Sequence, residues 1–247
     1  MTITTAGLTV TLDGPASSGK SSVGAAAALE LGYRFCDTGL LYRAATYLAL
    51  ERHLEPGPDR NAGDSAAALV GLVPEIALIA DANGRLAQVS VGGRDVTGDV
   101  HTPRVDEAVS AVSAVPELRA ALLNRQRALA AESGGIIMAG RDIGTVVLPD
   151  ADLKIYLDAS VEERARRRTE ERGIDPYGPE AAEILDQLRR RDDLDSNRGA
   201  GPLRAAADAL HIVTDGNRFE DTVAAVIAAI RAAEAARSTV STSERLG

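Results

Sequence analysis

Gly14-Pro15-Ala16-Ser17-Ser18-Gly19-Lys20-Ser21 has the spacing G-x-x-x-x-G-K-[ST]. It follows the alternating run Leu8, Val10 and Leu12 and precedes an alanine-rich stretch, Ala25 to Leu31, that Gly32 stops. A strand, a glycine-rich turn and a helix in that order form a cradle for phosphate, because successive backbone N–H groups and the helix N-terminus face one point. In that pattern Lys20 reaches the outer phosphates of a nucleoside triphosphate, and the Ser21 hydroxyl offers an oxygen to Mg²⁺. Lys20 is expected on a solvent-facing loop that adds little to core packing. A plain glycine and serine turn ahead of a helix would read similarly, so the remaining residues must say what becomes of a terminal phosphate.

A switch that times hydrolysis needs D-x-x-G after a strand and N-K-x-D further on. Asp81 to Gly84 and Asp95 to Gly98 match the first pattern, but both fall in turn-rich sequence, and neither Lys20 nor Lys154 follows an asparagine. A mechanical ATPase needs an acidic strand end, whereas Ile136 to Ala139 ends in Gly140-Arg141-Asp142. Transfer to an acceptor fits better. Arg43, Arg119, Arg141, Arg164, Arg168, Arg191 and Arg198 stand beside turns, helix ends or a flap, where side chains can converge. The planar fork of arginine grips phosphate oxygens in two places and keeps its charge. Arg166, Arg167, Arg172, Arg189, Arg190 and Arg231 read as solubilising charges on helix surfaces, and Arg125 and Arg127 fit either role. The segment Arg191 to Arg198, RDDLDSNR, alternates in sign past an expected helix end and equally suits helical salt bridging.

The chain has 247 residues, 45% of them hydrophobic, enough for a full core. Its net charge of −9 argues against a nucleic-acid polymer as partner. Cys36, the single cysteine, excludes a disulfide framework, suits a reducing cytoplasm and reads as a core thiol. The start, MTITTAGLTV, has neither a basic nor an apolar leader region, and no apolar run reaches membrane-spanning length. A cytoplasmic protein is expected, with no membrane contact. His53, His101 and His211 lack metal-ligand spacing and read as surface or packing residues.

The elements that must position these groups alternate. A helix is expected from Leu40 to about His53, then a loop over Glu55-Pro56-Gly57-Pro58-Asp59 and a short helix from Ala66 to Leu72. Glu75 to Ile79, Leu86 to Val91 and the segment to Val96 read as a small antiparallel insert, with turns at Asp81 to Gly84 and at Gly92-Gly93. Helical periodicity covers Val105 to Val112 and Pro116 to about Glu132. Ile136 to Ala139 and Leu153 to Leu157 read as buried parallel strands. Ser160-Val161-Glu162-Glu163 is a capping box that opens a helix toward Arg172, and Gly173 to Pro179 breaks it. A helix from Glu180 to about Asp193, a strand from His211 to Thr214 and a helix from Phe219 to about Ala236 complete an α/β chain, with a disordered tail expected over 237–247.

Several motifs in this order carry a resemblance: DGPASSGKSS, Asp37-Thr38-Gly39-Leu40-Leu41-Tyr42-Arg43, Gly140-Arg141-Asp142-Ile143-Gly144-Thr145, Leu157-Asp158-Ala159-Ser160 with Glu163-Arg164-Ala165, and Arg191-Asp192-Asp193 through Asn197-Arg198. Across about residues 8 to 230 the chain resembles bacterial cytidylate kinases. The resemblance implies a P-loop nucleoside-monophosphate kinase fold with a parallel sheet wrapped by helices. Residues 1–39 and 133–236 would form the core with a lid at about 172–180, and 40–132 the monophosphate-binding region with its antiparallel insert at about 75–97. It implies ATP-dependent phosphorylation of CMP and dCMP with Mg²⁺, by a monomer. Gly14 through Ser22, Arg164 and Arg168 would bind ATP, and Lys20, Arg141, Arg168 and Arg198 would serve transfer. Thr38, Arg43, Arg141 and Arg198 would hold the acceptor phosphate, Tyr42 would line the pyrimidine pocket, and Ser110, Arg119 and Asp142 would meet the cytosine edge. Arg191 and Asp195 would fall near the sugar. Two positions depart from the family's frequent serine, Ala16 and Thr38, and only Thr38 keeps a hydroxyl. Shikimate or gluconate kinases, with Asp142 or Asp37 as base, and a regulatory nucleotide-binding module remain the alternatives.

Overall fold

The computed structural model describes residues 7–54, 62–132 and 134–244. The expected loop Glu55 to Asp59 lies outside the described residues. Strand β1 (Thr9–Asp13) leads through the glycine-rich turn into α1 (Lys20–Leu31), followed by β2 (Arg34–Asp37), α2 (Gly39–Glu51) and α3 (Ala62–Leu72). Strands β3 (Ile76–Ala80), β4 (Arg85–Val91) and β5 (Arg94–Asp95) come next, then α4 (Pro103–Ser113), α5 (Pro116–Ala131) and β6 (Ile136–Gly140). The remaining elements are β7 (Leu153–Asp158), α6 (Val161–Glu171), α7 (Pro179–Asn197), β8 (Leu210–Val213) and α8 (Phe219–Glu244).

One sheet, in the order β3-β4-β2-β6-β1-β7-β8 with β5 on β4, runs through the molecule. The five strands β2, β6, β1, β7 and β8 are parallel, and the central β6 is buried at every position because helices cover both faces. On one face Val10, Leu12, Ile155 and Leu157 pack under α1 and α8 through Val23, Ala27, Val226 and Ile230. Cys36 and Met138 pack against Ile143 in a second cluster, and Cys36 is fully buried, as a core thiol should be. A third core joins α2, α3, α4 and α5 to the antiparallel strands through Leu41, Leu48, Leu69, Ile76, Val89, Val109 and Leu122.

The expected antiparallel insert is present as β3, β4 and β5, and β4 also pairs in parallel with β2, Cys36 opposite Leu86, which joins the insert to the main sheet. Three features differ from the sequence reading. Helix α7 runs on to Asn197, so the alternating charges from Arg191 to Asn197 lie on a helix rather than beyond one. Helix α8 continues to Glu244 through residues expected to be disordered; Ser238 and Thr239 donate back to the carbonyls of Glu234 and Ala236, which accommodates hydroxyl residues in a helix. Residues 245–247 of that expected tail lie outside the described residues. Finally, a π-helical turn over Ile143–Val147, which has no periodic signature, follows β6.

Candidate active site

The strand registers bring the chemistry together. Asp13 pairs across from Gly140, and Asp37 from Ala139, so the carboxyl ends of β1, β2 and β6 deliver Asp13, Asp37, Arg141 and Asp142 to one edge, where open α/β sheets bind ligands. The glycine-rich turn curls over that edge. Gly14 has φ 154 and a Cβ there would lie 2.1 Å from the Leu157 carbonyl oxygen, and Gly19 caps α1 at φ 89 in the left-handed region, so neither position admits a side chain without strain. Lys20 is only 5% exposed, contrary to the solvent-facing expectation, and donates to the Pro15 carbonyl at 2.7 Å. Burial first, and the Arg141 charge second, hold its amine well below the ordinary lysine range. A phosphate anion beside the amine would favour its charged form.

Two cavities open on this turn. One, about 530 Å³, runs along Ser17 to Val23 to Arg167, Arg168, Thr214 and Asn217. The other, about 410 Å³, is shared by Ala16, Ser17, Lys20 and Ser21 with Asp37, Arg43, His101, Asp106, Arg141, Arg168, Arg172 and Arg191. Arg164 ties the turn to α6 and α7, donating to the carbonyls of Ala16 and Ala159 at 3.1 and 3.0 Å and pairing with Asp192. Arg168 reaches toward α4, where it meets Asp106 at 2.5 Å.

Away from the turn, the predicted acceptor residues form a continuous chain of charge. Arg119, on α5, donates to Asp142 and lies over the Tyr42 ring at 5.2 Å from its centroid. Arg198 stands 3.6 Å from the other Asp142 oxygen and 3.7 Å from Asp195, and Arg141 donates to Asp195 at 3.0 Å. Charges this buried need partners, and these supply one another. The pairing is incomplete: Arg191 Nε and one Arg198 terminal nitrogen are buried without an acceptor. Burial, with the Arg141 charge second, lowers the Arg191 guanidinium to about 10. Ser110 faces a neighbouring cavity of about 350 Å³ with Asp106, Arg168 and Arg191. Thr38 spends its hydroxyl on the Ala139 carbonyl at 2.9 Å, and Arg43 donates to Val100 and Asp106.

A model of the family described as cytidylate kinase matches residues 10–232. The chain belongs to the cytidylate kinase family. A cytidylate kinase of Pelotomaculum thermopropionicum is 41% identical over 90% of this chain and 96% of its own length, and one from Rhodococcus opacus is 44% identical over 90% and 93%. One from Streptococcus sanguinis is 44% identical over 87% and 92%. The protein is therefore a P-loop kinase with an α/β fold, as the motif order implied.

Two carboxylates of the kinase, Asp13 and Asp106, escaped the sequence reading as site residues, and Asp37 entered it only as a base in the alternative kinases. Asp13 accepts from the backbone N–H of Ile143 and Gly144 at 2.8 and 2.7 Å, anchoring the π-helical turn that follows Asp142. Asp37 accepts from the Ser21 hydroxyl at 2.5 Å and from Gly39 N–H at 2.9 Å. Both end strands, and a carboxylate closing an apolar strand ahead of a glycine was the signal available. Asp106 carried no such signal. Arg167 and Arg172, read as solubilising, also differ: Arg167 donates to Thr214 beside the glycine-rich turn, and Arg172 meets Asp106 at 2.9 Å. Arg166, Arg189 and Arg231 are exposed and pair with Glu163, Glu162 and Glu30, as solubilising charges should. Arg125 and Arg127 bond to the carbonyls of Val73 and Val147 and are structural. His101 stands on the cleft wall, its imidazole lowered chiefly by burial. No helix among the described residues is long and apolar enough to cross a membrane.

Proposed function

We propose that the protein transfers the γ-phosphoryl group of ATP directly to the phosphate of CMP or dCMP. The observation that carries this reading is the shared 410 Å³ cavity, in which the phosphate-binding turn faces Arg43, Arg141, Arg168 and Arg191 across a gap with more cations than carboxylates. ATP and a nucleoside monophosphate together bring roughly five to six negative charges, which such a cavity balances before in-line attack. Ser17 through Ser22 with Arg167 and Asn217 border the space for the donor. Arg43, Arg141 and Arg198 would grip the acceptor phosphate, helped by the Arg191 and Arg198 N–H groups that make no hydrogen bond. A monophosphate is mostly dianionic at pH 7 and is its own nucleophile, so no general base is needed. That suits Asp142 and Asp37, whose oxygens already face guanidinium, hydroxyl and backbone N–H groups.

The Ser21 hydroxyl and the Asp37 carboxylate, 2.5 Å apart, are hard oxygen donors that fit Mg²⁺. Held by these two residues, the ion would supply positive charge against that developing on the transferring phosphate. Lys20 and the arginines position and stabilise the same charge.

Cytosine specificity rests on Asp142 and Arg119. A carboxylate can accept from the N4 amino group, while a guanidinium donates to N3 and O2. Incubation with ATP, Mg²⁺ and, in turn, CMP, dCMP, UMP, AMP or shikimate, following ADP release, tests the reading. CMP and dCMP should be turned over fastest; a preference for shikimate, or no turnover of any acceptor, would overturn it.

A further inference from the structure

Asp106 lies in the first turn of α4, between the two halves of the site, and no motif accounts for it. Its Oδ1 accepts from Arg43 Nη2 at 2.6 Å, and its Oδ2 accepts from Arg168 Nη2 at 2.5 Å and Arg172 Nη2 at 2.9 Å. The three guanidiniums come from different places: Arg43 from α2, Arg168 from the last turn of α6, and Arg172 from the start of the flap. The carboxylate is 14% exposed and borders both the cavity shared with the glycine-rich turn and the one that holds Ser110.

One carboxylate among three guanidiniums leaves positive charge in excess, whereas a purely structural ion pair would balance. A guanidinium carries five N–H groups, so each arginine that spends one nitrogen on Asp106 keeps others for a ligand. A phosphate oxygen meeting Arg43 from one side and one meeting Arg168 from the other therefore engage groups already fixed to the same anchor. A first ligand that settles its own arginine also settles the shared carboxylate, which lowers the ordering cost of the second ligand.

We propose that Asp106 is a positioning residue that couples the acceptor and donor sites, holding Arg43 on one side and Arg168 with Arg172 on the other around a single carboxylate. Occupation of either site orders the arginines that meet the other. The inference rests on the reading of CMP and ATP as substrates.

The test is calorimetric titration of CMP into the protein with and without a non-hydrolysable ATP analogue and Mg²⁺. In the wild type the analogue should tighten CMP binding by about fivefold or more, within the usual range for coupled sites. In Asp106→Asn, whose amide accepts on one atom only, the factor should fall below about twofold, and kcat should drop about tenfold or more. CMP affinity in the absence of the analogue should move less than about threefold, and Asp106→Glu should recover part of the coupling. A merely structural Asp106 would lower thermal stability and leave the coupling factor alone; a folded Asn variant with wild-type coupling, or a wild type with none, overturns the inference. Should the Asn variant not fold, Arg172→Gln removes the flap's arm of the cluster and should still cut the factor about twofold; unchanged coupling there overturns the inference as well. A wild type that binds no CMP at all sinks the substrate reading itself, which separates the two failures.

Discussion

From Gly14 to Ser21 the cleft wall is consecutive backbone shaped by glycine dihedrals, whereas the opposite wall is made of side chains drawn from α2, α4, α6, α7 and the turn after β6. The first wall has few ways to fail. Its donors are peptide N–H groups, and its one lysine, Lys20, is held by a carbonyl five residues away. The second is a relay of charges, Arg119 to Asp142 to Arg198 to Asp195 to Arg141, in which every member is a neighbour's partner. Removing one member there disturbs the rest, so function and stability are tied together; in the turn they are separate.

The largest expected effect exploits that separation. Lys20→Ala should lower kcat by about a thousandfold, since a cation poised for transition-state charge is lost. Its amine is buried beside Arg141 and held well below its ordinary range, so the empty protein gains little from it. The thermal midpoint should fall by no more than about 2 °C. Activity within tenfold of wild type, with native circular dichroism, would remove the turn from the chemistry.

Asp142→Asn probes the other wall. UMP would set its O4 against the Asp142 carboxylate and its N3–H against Arg119, a mispairing that costs about 2 to 4 kcal/mol, roughly 30-fold to 1000-fold in kcat/KM. An amide donates as well as accepts, so the variant should narrow the CMP to UMP ratio by about tenfold or more. It should also lose about 3 kcal/mol or more of stability, because Arg119 and Arg198 lose a buried partner. The ratio of kcat/KM for the two nucleotides, with urea unfolding alongside, measures both. A constant ratio would leave Asp142 as only a structural partner of Arg119 and Arg198.

The same contrast explains what could be read from the sequence. The donor turn is a contiguous spacing of glycines, lysine and serine, and strands such as Ile136–Gly140 announce themselves by apolar runs. The arginines were legible as a population, but their division into site and surface was not: Arg172 and Arg189 look alike in sequence, yet one meets Asp106 in the cleft and the other meets exposed Glu162. Asp106 gains its role only when α2, α4 and α6 converge, which no local spacing encodes. The course of α7 to Asn197 was hidden because aspartate and asparagine are poor helix formers, and ion pairs such as those of Asp195 with Arg141 and Arg198 outweigh propensity there. The attachment of β4 to β2 depends on sheet order, which the turns do not specify.

Asp13 joins the two walls, since it ends β1 just before the turn and anchors the backbone after Asp142. Burial is the main cause that pushes its carboxyl from 3.8 up to about 6, against the two backbone N–H groups that lower it. The folded protein therefore keeps a proton over the interval in which the unfolded chain has released it. The stability Asp13 contributes is full below about pH 4 and is lost as pH rises through about 6. Asp13→Asn does not titrate, so the unfolding free energy of wild type relative to the variant should decline by about 2 to 3 kcal/mol between pH 4 and pH 7. Urea denaturation of both proteins across that range measures it. A flat difference would show that Asp13 does not hold that proton.

The smallest expected effect lies outside both walls, at the helix that carries Arg164 and Arg168. Ser160 caps α6: its hydroxyl accepts from the Glu163 N–H at 3.2 Å and donates to Asp215 after β8. Replacing it with alanine leaves one N–H of the first turn without a side-chain acceptor, at a typical cost of about 1 kcal/mol. For a chain of this size that is a fall of about 2 to 4 °C in the midpoint. Arg164, in the capped turn itself, is held by its own bonds to Ala16 and Asp192, and Arg168, toward the far end of α6, by Asp106, so loss of the cap should not travel to the cleft. Ser160→Ala should keep kcat and both KM values within about twofold while the midpoint drops. A rise in the KM for ATP comparable to that of an arginine variant would mean that the cap, and not the ion pairs, sets where Arg164 and Arg168 stand; the side-chain wall would then depend on local helix order, as the donor turn depends on its glycines.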